Sequence, residues 1–171
     1  MRIYSRMFAY GASIPQKYTC EGEDVSPPLI WEAVPAEAKT LALIVEDPDA
    51  PDPENPQRIW THWVVHNIPA HTCFLPAREQ GCGLPEGASG SQMPDGAVEG
   101  YNDWEKIGWG GPCPPVGRHR YYFRLYALDT ELPANPMTRE ELLKAMEGHI
   151  IDRAEHMGTY RKTEEKKEAA E

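Results

Sequence analysis

With 171 residues the chain suits one domain, since single cores commonly form at about 100 to 200 residues. Its 17 prolines and 14 glycines are more punctuation than a helical bundle tolerates, while 40% hydrophobic residues suffice for a core, so many turns and strands are expected. A net charge of -10 repels polyanions, which argues against nucleic acid as a partner but leaves room for one small anion in a local pocket.

The first residues, MRIYSRMFAYGASIP, contain no apolar h-region and no small-residue cleavage site, and no run is long enough for a membrane span. A soluble, cytoplasmic protein without integral membrane association is expected. Short strands are expected at Ile3 to Tyr10 and Leu29 to Trp31. Lys39 to Asp47 reads as a central strand: Leu41, Leu43 and Val45 share one face, Ala42 and Ile44 the other, and both are apolar. Asp47, in phase with the first set, ends that face, and Pro48 is expected to stop the strand.

Ile59 to Ile68 is a second strand, with Trp60, His62, Val64 and His66 on one side and Ile59, Thr61, Trp63 and Val65 on the other. From Ala70 to Tyr101 glycine, proline and serine dominate, and a long irregular connection is expected. His119 to Asp129 is a third strand, with His119, Tyr121, Phe123, Leu125 and Ala127 on one face. Thr138 to Glu141 forms a capping box, after which Leu142, Leu143, Met146, Ile150 and Ala154 recur at helical spacing; a helix is expected there, bent or divided at Gly148. One domain spanning 1-160 is expected, followed by a charged, frayed tail at 161-171.

Asp47, His62 and His119 stand at the ends or along the faces of these strands. Each alone fits an ordinary polar residue at a strand end; together, beside proline-stiffened loops, they suggest one anion site. A carboxylate favours the imidazolium form of a neighbouring histidine. Two charged histidines, the Tyr121 hydroxyl and free amides of Gly110 or Gly111 would complete the site. Trp60 and Trp109 are aromatic candidates for its lining.

Other chemistry finds less support. His62 and His66 on one strand lie roughly 13 Å apart at about 3.3 Å per residue, too far for one ion, and neither CxxC nor HxxxH on a helix occurs, so no metal and no cofactor are expected. Gly87 to Ser91 falls short of GxSxG at its fifth residue, and the stretch from Gly81 fails as GxGxxG. Cys113 near His119 could form a thiol nucleophile, but a small residue fitted between prolines is the simpler reading. Cys20, Cys73, Cys82 and Cys113 allow three complete pairings, and in a cytoplasmic setting free thiols are expected.

The stretches LALIVEDPDAP (41 to 51), WTHWVVHNIP (60 to 69), GYNDWEKIGWGGPCPPVGRHRYYFRLYALD (100 to 129) and EHMGTY (155 to 160) closely resemble the phosphatidylethanolamine-binding protein family, in its prokaryotic, Raf-kinase-inhibitor-like branch. The resemblance runs in order from about Ser13 to Tyr160. It implies a mainly β fold: a central antiparallel sheet, a smaller second sheet and peripheral helices, one near the C-terminus. It also implies a shallow pocket for phosphate-like groups, including phospholipid head groups, lined by Asp47, His62, His119 and Tyr121, with Gly111, Pro112, Cys113 and Pro114 as one wall. Relatives restrain kinases or inhibit serine proteases, and prokaryotic ones resemble homodimers. The chain departs from eukaryotic members in lacking their longer C-terminal extension and in carrying DPENPQR at 52 to 58. The expectation is therefore a binder of small anionic or phosphorylated ligands, working with a protein partner and without catalysis. The alternatives are a kinase or protease inhibitor acting through Ala70 to Gly100, and a hydrolase using Cys113 or a metal.

Overall fold

The computed structural model describes residues 1-71, 73 and 82-163. The chain runs through β1 (Arg2–Tyr4), a 3-10 turn (Gln16–Tyr18), β2 (Leu29–Glu32), β3 (Thr40–Ala50), β4 (Arg58–Pro69) and β5 (Cys82–Leu84). It continues through β6 (Val98–Glu99), β7 (His119–Leu128), α1 (Arg139–Met146) and β8 (Ile150–Tyr160). A five-stranded sheet has the order β6-β4-β3-β7-β8 and a three-stranded sheet the order β1-β2-β5. Every pairing within them is antiparallel. This is the mainly β architecture expected from the sequence, with one α-helix among the described residues.

β3 is apolar on both faces because both are covered. Leu41, Leu43 and Val45 join Trp63, Phe123 and Leu125 in the main core, against Leu29, Trp31 and Leu84 of the small sheet. On the opposite face Ala42, Ile44 and Val64 pack beneath Leu142 and Met146 of α1. Glu46, facing that same side, ties helix to sheet by accepting from Arg124 at 2.6 Å and from Arg139.

The capping box forms as expected: Thr138 Oγ1 accepts from the Glu141 amide at 3.2 Å, and Glu141 Oε1 accepts from the Thr138 amide at 3.1 Å. The helix, however, stops at Met146. Gly148 takes a left-handed φ of 80°, and the chain turns into β8, which pairs with β7 from His119↔Tyr160 to Leu128↔Ile150. Ile150 and Ala154 thus belong to a strand. Their spacing of four satisfies a period of 2 as well as one of 3.6, and the edge of β7, rich in unpaired backbone groups, decides between them.

β3 also runs past Asp47 to Ala50, beyond the expected stop at Pro48. Within the expected connection from Ala70 to Tyr101 the chain forms β5 and β6; residues 72 and 74-81 of the proposed inhibitory loop lie outside the described residues, as do 164-171 of the tail. No helix of the described residues is long and apolar enough to cross a membrane.

Candidate functional site

Three strands deliver the site, and a β-bulge completes it. Along β3 and β4 the register passes from Val45↔Trp63 to Glu46↔Thr61, leaving His62 as the extra residue. Strict alternation would place His62 with Val64, beneath α1. The bulge turns it to the other face, where its ring meets Tyr121 edge-on at a centroid distance of 5.1 Å. A second irregularity lies between Asp47↔Trp60 and Ala50↔Arg58, where Asp47 Oδ1 accepts the Asp49 amide at 2.8 Å and Ala50-Pro51 is cis.

These features surround a cavity of about 470 Å³. Asp47, His62, His119 and Tyr121 are its buried titratable members, and Trp60, Cys113 and Pro114 also line it. Gly111 and Pro112, expected in the same wall, do not: Gly111 faces a neighbouring cavity of about 290 Å³, and the Pro112 carbonyl turns to the Cys20 amide at 3.2 Å. Trp109 also opens on that second cavity.

The electrostatics differ from expectation. His119 Nδ1 lies 2.6 Å from Asp47 Oδ2 and Nε2 lies 2.8 Å from the Val116 carbonyl. Both partners are acceptors, so both ring nitrogens donate and His119 is an imidazolium. Burial pulls its pKa down, but the bond to Asp47 and that carboxylate's charge outweigh burial and raise it. Both N–H groups are consequently committed to the protein.

His62 is the opposite case. Its Nδ1 donates to the Gly110 carbonyl at 2.6 Å, while burial lowers its pKa to about 4 against the raising effect of that bond and of Asp47. At neutral pH it is uncharged, and Nε2 presents a lone pair. The expectation of two imidazolium groups is thereby corrected to one, already paired.

The expected free amides are also taken. Gly110 N–H donates to the His62 carbonyl at 2.9 Å, and Gly111 N–H donates to Asp24 Oδ1 at 2.8 Å. Two buried donors at the cavity have no protein partner: the Tyr121 hydroxyl and Trp60 Nε1. Burial, reinforced by the charges of Asp47 and Asp49, raises the Tyr121 pKa and keeps the phenol protonated.

Sequence reasoning missed Arg58 and Trp104, both at the cavity. The Arg58 guanidinium stacks over Trp60 at 4.5 Å from the ring centroid and reaches Asp103 at 4.0 Å. Extending the second strand by one residue would have shown Arg58 in phase with Trp60. Trp104 sits in a turn between the bridge partners Tyr101 and Ile107, where no periodicity marks it. Its ring packs edge-on against Trp60 at 5.4 Å and His62 at 5.2 Å.

The cysteines correct a further expectation. Cys20 bridges Cys113, with Cα atoms 5.5 Å apart, and Cys73 bridges Cys82, so the described cysteines are paired rather than free. Cys113, bonded through its sulfur, offers no thiol nucleophile in this state. Among the described residues no three His, Cys, Asp or Glu side chains converge as a metal site would require.

Comparison with known proteins gives these features a family. The family model described as phosphatidylethanolamine-binding protein matches residues 4-161. A UPF0098 protein of Methanothermobacter thermautotrophicus is 47% identical over 95% of this chain and 99% of its own. Another, from Chlamydia muridarum, is 47% identical over 94% of this chain and 98% of its own. A crystal structure of a Chlamydia trachomatis homologue of phosphatidylethanolamine-binding protein superposes with a TM-score of 0.81 at 46% identity, covering 94% of this chain and 97% of that one. Escherichia coli YbcL, described as a member of the mammalian family, gives 0.80 at 32% identity over 95% and 98% of the two chains. The chain belongs to the phosphatidylethanolamine-binding protein family.

Proposed function

We propose that the cavity binds a small oxyanion carrying one proton, such as phosphate or a phosphate monoester, and that the protein acts by binding rather than turnover. The observation that carries this reading is a buried, unpartnered Tyr121 hydroxyl beside an unprotonated His62 nitrogen. A P–OH group donates to His62 Nε2 while P–O oxygens accept from Tyr121 and Trp60, and the exposed Arg58 supplies compensating charge. Asp47 and His119 form a closed pair that orients the wall. Turnover has little support, since Cys113 is bridged and neither nitrogen of His119 is free to accept a proton.

The protonation pattern sets the pH response. Charging His62 at pH 7 costs about 4 kcal/mol from a pKa of about 4, so the proton comes with the ligand. Phosphate monoesters lose their second proton near pH 6, and above that pH binding takes up a proton. Affinity should fall roughly tenfold per pH unit between about 7.5 and 9. Isothermal titration with inorganic phosphate and phosphoethanolamine checks this; an affinity flat across the range counts against a protonated ligand.

Two substitutions localise the site. Tyr121→Phe removes one hydrogen bond to a charged group, and tenfold or greater weakening is expected from the roughly 1.5–3 kcal/mol such bonds contribute. Arg58, more exposed, should matter by a few-fold in Arg58→Ala, with a flatter salt dependence. Amide shifts on phosphate titration should centre on residues 60 to 62 and 110 to 121. Shifts centred elsewhere, or no saturation at tens of millimolar phosphate, would refute the reading. A cytoplasmic setting is part of the same proposal, and a reducing thiol pool there would act on the bridges.

A further inference from the structure

The Cys20–Cys113 bridge joins the site to a segment that does not line the larger cavity. Cys113 lines both the 470 Å³ cavity and the 290 Å³ cavity beside it, while Cys20 lines the second alone. The segment from Tyr18 to Asp24 clamps the 110-113 loop at three points. These are the disulfide, the Cys20 amide donating to the Pro112 carbonyl at 3.2 Å, and the Gly111 amide donating to Asp24 at 2.8 Å. The same loop supplies the Gly110 carbonyl that accepts the His62 Nδ1 proton at 2.6 Å and thereby leaves Nε2 as the acceptor of this cavity-lining ring. A covalent bond, a loop and a tautomer are thus mechanically in series.

We propose that the thiol-disulfide state of Cys20 and Cys113 regulates anion affinity at the cavity, the oxidised form being the tight binder; this rests on the oxyanion reading above. Cys20 is exposed and Cys113 half-buried, so the approach is from the Cys20 side. A thiolate of a small or protein dithiol attacks Cys20 Sγ, the Sγ–Sγ bond breaks, and its electron pair leaves on Cys113 Sγ. The second thiol of the reductant then attacks its own sulfur in the mixed disulfide and releases Cys20. Two electrons and two protons pass from the dithiol, which becomes a disulfide, to the two cysteines. Freed of the bridge, the loop keeps two hydrogen bonds to the segment but loses its fixed distance, so Pro114 and the Gly110 carbonyl no longer hold the wall and the tautomer in register.

Full-length Cys73→Ala/Cys82→Ala protein leaves one bridge to respond. Its phosphate affinity, titrated oxidised, after dithiothreitol and after reoxidation, should fall at least fivefold on reduction and return. The His62 Cε1–H resonance should shift between the two forms, and far-UV dichroism should stay unchanged. Cys20→Ala, which removes the bridge and changes the larger cavity only by freeing the Cys113 thiol, should match the reduced form. Saturation with equal affinity in both states, or global unfolding on reduction, overturns the switch alone. Absence of saturation in both states overturns the oxyanion reading and the switch with it.

Discussion

Replacing Asp47 by asparagine is expected to lower the unfolding free energy by about 3 kcal/mol at pH 5.5, a loss that shrinks as pH rises through the raised folded-state pKa of His119. The carboxylate is 3% exposed and its partner His119 is 1% exposed, so removing the charge leaves an imidazolium without its counter-ion inside the protein. Asparagine keeps an oxygen for the Asp49 amide and isolates the charge from the turn it caps.

The sign of the pH dependence follows from the direction of the shift. The folded-state pKa of His119 is raised, so its contribution is fully present below the unfolded value near 6.5 and is lost as pH rises through the folded value. His62, His66 and His156 oppose it: burial lowers all three, so each contributes a stability that grows as pH rises toward 6.5. The wild-type profile therefore mixes both signs, and the difference between wild type and Asp47→Asn isolates His119. Urea unfolding at pH 5.5, 7 and 8.5 measures it. A difference that grows with pH would show that His119 is neutral in the folded protein.

The parts of the fold legible in the sequence were those where local alternation and sheet geometry agree. β3 and β7 announce their buried stripes at a period of 2, and that period locates both to within a few residues of their ends. What alternation could not reveal was the bulge at His62. The extra residue is defined by how β4 aligns with β3, and nothing in Thr-His-Trp itself differs from a regular strand. That single slip carries His62 from the helix-covered face, where alternation puts it, to the cavity.

Protonation was equally out of reach. The charge on His62 depends on burial and on the Gly110 carbonyl, and that on His119 on two acceptors, one of them in another strand. Gly111 illustrates the same limit for the loop. A Cβ there would lie 2.2 Å from Asp24 Oδ1 and 2.4 Å from the Tyr18 carbonyl, so glycine is required by the approach of a distant segment rather than by a phosphate.

That close approach bears on the bridge beside it. Cys20 and Cys113 are separated by 93 residues, whereas Cys73 and Cys82 are separated by 9. In the chain-entropy account the longer closure stabilises by about 4 to 5 kcal/mol and the shorter by about 2 to 3, because more of the unfolded ensemble is excluded. Cys20→Ala should therefore depress the melting temperature by about 10 °C, with Cys73→Ala costing roughly half as much. The residual contacts at Gly111 and Pro112 should leave the folded state populated at 25 °C, since a domain of this size has a stability on the order of 10 kcal/mol. Differential scanning calorimetry of the two variants gives the ranking directly. Equal losses would mean that the bridges act through folded-state contacts instead, and a larger loss in Cys73→Ala would reverse the assignment of the main covalent tie to the segment that walls the cavity.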